Sequence, residues 1–210
     1  LNHRAILTEI SRAKDSLIDP REYKHTNQND FRKSKIAECY RDYQQELLRS
    51  DAMDFDDMIF NTVRLLKENP DVLETYQHQF KYIIVDEYQD TSYAQYVLTY
   101  LLAGEYHNIC VVGDDDQSIY RFRGATIENI MRFKERYEAE GVKVIQLQLA
   151  ENYRSKQNIL DAANAVIANN KTRLADKRLR SYTGKNGDKI VLYTANNEID
   201  EAQFIIDQIN

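Results

Sequence analysis

Three short polar clusters, each following an apolar run, hold the residue types that nucleotide chemistry uses. Tyr82-Ile83-Ile84-Val85 stops at Asp86-Glu87-Tyr88-Gln89-Asp90, and Ile109-Cys110-Val111-Val112 stops at Gly113-Asp114-Asp115-Asp116-Gln117. The run at 142–149 leads into Glu151-Asn152-Tyr153-Arg154. A carboxylate pair at a strand end suits phosphoanhydride hydrolysis: one carboxylate holds Mg²⁺ through its water shell, and its neighbour orients or deprotonates the attacking water. Asp86 and Glu87 form such a pair, although acidic pairs also cap helices, and alone the pair divides evenly between the two roles. Gln117 is a neutral hydrogen-bonding side chain able to detect a terminal phosphate, and Arg154 can stabilise a transferring phosphoryl group. Tyr120-Arg121-Phe122-Arg123 alternates aromatics with cations. In an extended segment one face stacks on bases and the other pairs with phosphates, the two halves of single-strand binding. Core packing is the competing role for Tyr120 and Phe122.

These clusters must be held by strands. The apolar, β-branched runs end abruptly and alternate with helical patterns at 92–102 and 126–140, the first with Gly104 as its C′ residue and the second closed by Gly141. That alternation predicts an α/β fold with a parallel sheet covered on both faces, its third strand at 142–149. Ligands of such sheets sit at the carboxyl ends of the strands, where all three clusters lie. Upstream, 1–50 reads as helix, polar break, helix, with Ile36, Tyr40, Tyr43 and Leu47 along one seam. Asp54 reads as an N-cap with Asp56 and Asp57 in the first turn, and Pro70 opens a short helix ending near Phe80. Downstream, Ser155 is expected to cap a helix to about residue 169, followed by a turn at Asn186-Gly187, a strand at 189–194 and a helix from about 198.

Composition narrows the classes. The 210 residues carry a net charge of −6, with 42% hydrophobic residues and only 6 Gly and 2 Pro. So few chain-breakers (typical usage is ~12%) exclude collagen-like repeats, disorder and a turn-rich sandwich. Cys39 and Cys110 read as small buried hydrophobes rather than a disulfide, which fits a reducing compartment. The four histidines make no zinc spacing, and neither a membrane-length apolar run nor a signal pattern is present, so the expectation is a soluble cytosolic protein. Lys171, Arg173, Lys177, Arg178, Arg180, Lys185 and Lys189 against Asp176 and Asp188 make 171–189 locally basic, by itself a solvated face. The chain begins at Leu1 and stops within a helical pattern, so both ends read as cuts through something longer.

Asp86-Glu87-Tyr88-Gln89-Asp90-Thr91 resembles the Walker B motif of superfamily 1 helicases of the UvrD/Rep/PcrA type. The run from Val112-Gly113-Asp114 through Gln117 to Phe122-Arg123-Gly124-Ala125 resembles their motif III, and Asn152-Tyr153-Arg154-Ser155 their motif IV. Met53-Asp54-Phe55-Asp56-Asp57-Met58-Ile59 resembles the segment re-entering the first RecA-like domain after a helical insertion. The similarity spans nearly the whole chain and is greatest to the bacterial PcrA-type branch. It implies a partial RecA-like P-loop NTPase sheet with flanking helices: 1–50 from a helical insertion subdomain, 51–150 from the first RecA-like domain, and 151–210 opening the second.

The resemblance also implies roles. Asp86 binds Mg²⁺, with Glu87 beside it activating water; Gln117 couples the γ-phosphate of ATP to the DNA site; Tyr120, Phe122 and Arg123 contact single-stranded DNA. Tyr153 stacks on adenine, and Arg154 reaches the γ-phosphate across the cleft between the RecA-like domains. Implied with them are ATP-driven 3′-to-5′ movement on single strands and single/double-strand junctions in replication and repair, and a nucleoid-associated place in the bacterial cytoplasm. Where Phe122 stands the family often has Trp, and this chain has none, so weaker base stacking is expected.

A Walker A loop, G-x-x-x-x-G-K-[ST], is absent from the 210 residues, as are recognisable motifs V and VI. The chain therefore reads as a middle slice, inactive alone; the resemblance implies a gap in the sheet where the family's phosphate-loop strand lies between the strands at 109 and 142. Two other readings stand beside it: the motor segment of a helicase-nuclease subunit, and a P-loop-less module binding single-stranded DNA.

Overall fold

The computed structural model describes residues 2–120, 124–171 and 173–209. They form two compact units, 1–145 and 146–210.

In the first unit, α1 (His3–Asp15), α2 (Pro20–Thr26) and α3 (Phe31–Arg49) pack around Ile10, Ala13, Tyr23, Ile36, Ala37 and Tyr40. The seam read from the sequence is real: Ile36 and Tyr40 are buried, and Tyr43 lies against the same core. The polar break contains a helix, because Asp19 accepts the Arg21 and Glu22 amides and Pro20 supplies a pre-set first turn.

Next come α4 (Phe55–Glu68) and α5 (Pro70–Gln79). Asp54 caps α4 in a reciprocal box with Asp57: the Asp57 amide donates to Asp54 Oδ1 at 2.8 Å, and the Asp54 amide donates to Asp57 Oδ2 at 3.3 Å. The cap is also an ionic knot. Lys14, 1% exposed, places its ammonium 2.6 Å from Asp54 Oδ2 and 2.9 Å from Asp57 Oδ1. The Tyr43 hydroxyl donates to Asp54 Oδ2 and the Gln44 amide to Asp57 Oδ1, so one cation fixes α1, α3 and α4 together.

Strands β1 (Ile83–Val85) and β2 (Ile109–Val111) pair in parallel, Ile83 against Ile109 and Val85 against Val111. Between them runs α6 (Tyr93–Ala103), which packs on α4, α5 and β1. The α/β class thus holds, with three corrections. Within the first unit the described residues cover the sheet on one face only: Ile84 is 75% exposed and Cys110 is exposed beside it, as is Cys39 on α3, so neither cysteine is a buried hydrophobe. The run at 142–149 is not a strand; Ile145, Leu147 and Leu149 are exposed, because no described residue offers the ladder of backbone partners that a strand requires. Gly104 is the C-cap of α6 in right-handed backbone, not a left-handed C′; a Cβ there would press on the Gln77 amide, which donates to the Leu101 carbonyl.

The helix expected at 126–140 breaks at Arg132 into α7 (Glu128–Met131) and α8 (Phe133–Ala139), closed by Gly141 at φ +80°. In the second unit, β3 (Glu151–Asn152) pairs in parallel with β4 (Arg180–Ser181), and α9 (Gln157–Ile167) and α10 (Glu198–Ile209) follow the expected helical patterns. Ser155 does not cap α9; its amide is taken by Asn152 Oδ1 at 2.7 Å, and Lys156 occupies the N-cap. The strand expected at 189–194 is also absent; Val191 and Leu192 are exposed and without a pairing strand among the described residues. No helix among the described residues is long and apolar enough to cross a membrane.

Asp15 ends α1 against Gly124, whose φ of +84° suits glycine and where a Cβ would collide with the Asp15 carboxylate. Burial, and then repulsion from Asp56, push the Asp15 carboxyl up from 3.8 to about 6 against a hydrogen bond from Ser92. An acid raised on folding stabilises fully below its unfolded value, and that contribution is lost as pH rises through the folded one. Asp15→Asn should therefore raise the melting temperature near pH 7.5 by about 3 °C and leave it unchanged near pH 4. Thermal melts at both pH values check this; an equal gap at the two would contradict it.

Candidate functional site

The site lies at the carboxyl ends of β1 and β2, which the parallel register sets side by side. Asp86 follows β1 and is exposed, its Oδ1 accepting the Glu87 amide at 2.9 Å. Glu87 takes left-handed backbone, φ 49° and ψ 41°, an uncommon conformation for a residue with a Cβ. Such strain costs of order 1 kcal/mol and persists where neighbours fix it. Here the fixing is visible: the Tyr88 amide donates to the Val112 carbonyl, the Tyr88 ring is buried edge-on against Phe133, and Thr91 Oγ1 donates to the Tyr88 carbonyl at 2.7 Å. Behind the turn, fully buried Asn129 of α7 donates to the Thr91 and Ser92 carbonyls, while Ser92 caps α6 in a box with Gln95.

The second loop begins where the Val112 amide donates to the Val85 carbonyl. A 3₁₀ turn, Asp115–Gln117, follows Asp114, and the Gln117 side-chain amide donates to Asp114 Oδ2 at 2.8 Å. Gln117 is exposed, and Tyr120 is 37% exposed, so its ring is not a core residue. Phe122 and Arg123 lie outside the described residues. The residue that the sequence reading left without a role is Gln89. It is 1% exposed, and its side chain joins the two loops: Nε2 donates to Glu87 Oε2 at 2.7 Å, and Oε1 accepts the Asp114 amide at 3.0 Å.

Asp86, Glu87, Gln117 and Tyr120 are thus gathered on two adjoining loops of the first unit. Exposed carboxylate oxygens on Asp86 and Glu87 beside a shallow hollow lined by Asp90, Thr91 and Leu98 suit a hydrated Mg²⁺, which takes one or two carboxylates and keeps several waters. In the second unit, Asn152 Oδ1 accepts the Arg154 and Ser155 amides, holding Tyr153 and Arg154 outward on a tight turn. The Tyr153 ring is 73% exposed, tilted against Tyr182 at 4.6 Å, and its hydroxyl donates to Glu151 Oε2 at 3.0 Å.

Strand-end carboxylates, a glycine-aspartate loop on the neighbouring strand and flanking helices are features of a partial RecA-like sheet. Residues 1–138 match the UvrD/REP helicase N-terminal domain and residues 147–210 the UvrD-like helicase C-terminal domain. The chain belongs to the UvrD/Rep helicase family. Similar relatives include the ATP-dependent DNA helicases PcrA of Leuconostoc citreum, 49% identical over 206 residues, and of Bacillus subtilis strain 168, 45% identical over 207 residues. These alignments cover 98% and 99% of this chain but 27% of each relative's length.

Proposed function

We propose that the chain is the central segment of an ATP-dependent 3′-to-5′ DNA helicase that couples ATP hydrolysis to movement on single-stranded DNA in the bacterial cytoplasm, at the nucleoid. Residues 1–50 belong to a helical insertion subdomain, 51–150 to the first RecA-like domain, and 151–210 to the second. The observation that carries the reading is the pair of loops at the adjoining ends of β1 and β2, which sets the Asp86-Glu87 carboxylates beside the Gln117 loop.

Within that reading Asp86 and Glu87 hold Mg²⁺, and Glu87 takes a proton from the attacking water. Mg²⁺, when bound, neutralises charge on the β- and γ-phosphates of ATP. Gln117 senses the γ-phosphate, Tyr153 stacks on adenine, and Arg154 stabilises charge at the γ-phosphate. Tyr120, Phe122 and Arg123 grip single strands and the single-stranded arm of junctions. Because no phosphate loop lies within the 210 residues, this segment alone does not turn over ATP.

The test measures ATP hydrolysis by the full-length protein with and without single-stranded DNA, and by the 210-residue chain. Stimulation in the first and none in the second is expected; turnover by the short chain contradicts the reading. Phe122→Ala in the full-length protein should cut DNA-stimulated hydrolysis and unwinding about tenfold, the stacking loss for one base being about 1–3 kcal/mol. Unchanged rates would remove Phe122 from the DNA contact.

A further inference from the structure

We propose that Gln89 is a positioning residue that aims Glu87 and links it to the Gln117 loop; this rests on the function proposed above. Gln89 is buried, and its side chain hydrogen-bonds Glu87 and Asp90 on one loop and Asp114 on the other. Nε2 donates one proton to Glu87 Oε2 at 2.7 Å and another toward Asp90 Oδ2 at 3.3 Å. Oε1 accepts the Asp114 amide at 3.0 Å, and the Ser118 hydroxyl donates to the Gln89 carbonyl at 3.4 Å.

The orientation of the amide follows from its neighbours. Flipped, it would set its oxygen against two carboxylates and its NH₂ against a backbone N–H. Space enforces the same contact from the other side: a Cβ on Gly113 would sit 2.7 Å from Gln89 Oε1 and 2.9 Å from Ile130 Cδ1. The glycine therefore admits the side chain that bridges the loops. The backbone at Glu87 is fixed by its neighbours, but its side chain is exposed. The hydrogen bond from Gln89 holds its Oε2, and the same side chain grips the start of the loop carrying Gln117 and Tyr120. A shift of the Asp114–Gln117 loop is thereby felt at Glu87.

The test uses the full-length protein with Gln89→Met and Gln89→Glu, measuring kcat and KM for ATP with and without single-stranded DNA from about pH 6 to 9. Gln89→Met removes the donors at similar volume. It should lower kcat about 10–100-fold, as misplacement of a reacting group does, with KM changed much less and the DNA-stimulation ratio reduced. Gln89→Glu separates aiming from mere support. Protonated, the new acid still donates to Glu87 and accepts from Asp114; ionised, it repels Glu87. Its activity should therefore approach wild type at the acid end and fall as pH rises, reversibly, where the wild type shows no such fall. A Gln89→Glu profile parallel to wild type, or a Gln89→Met variant with unaltered kcat, overturns the proposal. An unstimulated wild-type protein would instead defeat the function it rests on.

Discussion

Glu87→Gln in the full-length protein is expected to lower DNA-stimulated ATP turnover by about 10²–10⁴-fold, the usual weight of a positioned general base. The substitution is nearly isosteric and leaves the left-handed backbone at residue 87 as it is. The new side-chain oxygen can still accept from Gln89 Nε2, so the link between the loops survives. What disappears is the carboxylate proposed above to take the proton of the attacking water. Nucleotide binding should persist, so kcat falls while affinity for ATP stays close to wild type. Single-turnover hydrolysis alongside a fluorescent-nucleotide titration separates the two quantities. A variant within threefold of wild type would leave Glu87 as a structural end to β1 and move the base elsewhere.

Lys14→Met should destabilise the α1–α3–α4 assembly by about 3–5 kcal/mol, the cost of stranding buried partners of a removed charge. Methionine replaces much of the volume, so packing loss is small and the electrostatic change dominates. Asp57 is 3% exposed and Asp54 23%, and without the ammonium their carboxylates face each other across the cap of α4. Burial alone pushes the Asp54 carboxyl up. The Lys14 ammonium, the Asp57 amide and the Tyr43 hydroxyl together outweigh it and hold it below the usual carboxylate range. A lowered acid stabilises above its unfolded value and loses that contribution as pH falls through the folded one. The wild-type knot therefore weakens only in strong acid, whereas Lys14→Met is already weakened at neutral pH. Hydrogen exchange in the full-length protein should show amide protection in α1 and α4 reduced about 10²–10³-fold. Adding Asp57→Asn should restore part of it; no recovery would show that packing, not charge, was lost.

Much of the site was legible because its parts are local in sequence. An apolar β-branched run ending in Asp86-Glu87 is both a strand and its terminus, and a parallel partner at 109 places the second loop beside the first. The α4 cap was legible for the same reason, since Asp54 and Asp57 lie three residues apart. Lys14 was not, because its nearer partner, Asp54, lies 40 residues downstream and a lysine in a helix ordinarily faces water. Gln89 lies within the motif at 86–91 with no role evident from its type, since nothing in a string of residues says which glutamine is buried. The runs at 142–149 and 189–194 have strand composition but no strand, because a strand is a property of a pair. The short helix α2 has its start signals, Asp19 and Pro20, in the sequence, but its seven residues are too few and too polar to show a helical period.

The bare face of β1 and β2 has a consequence for how the chain behaves among its own copies. Ile84 and Tyr82, 75% and 78% exposed, present aliphatic and aromatic surface beside an open strand edge, the arrangement that seeds self-association. Opposing it is the acidic surplus of −6, a long-range repulsion between like particles. That repulsion reaches about 10 Å at 0.1 M salt and about 3 Å at 1 M. Colloidal stability of the 210 residues is thus a contest between a short-range adhesive face and a screened charge, and salt decides it.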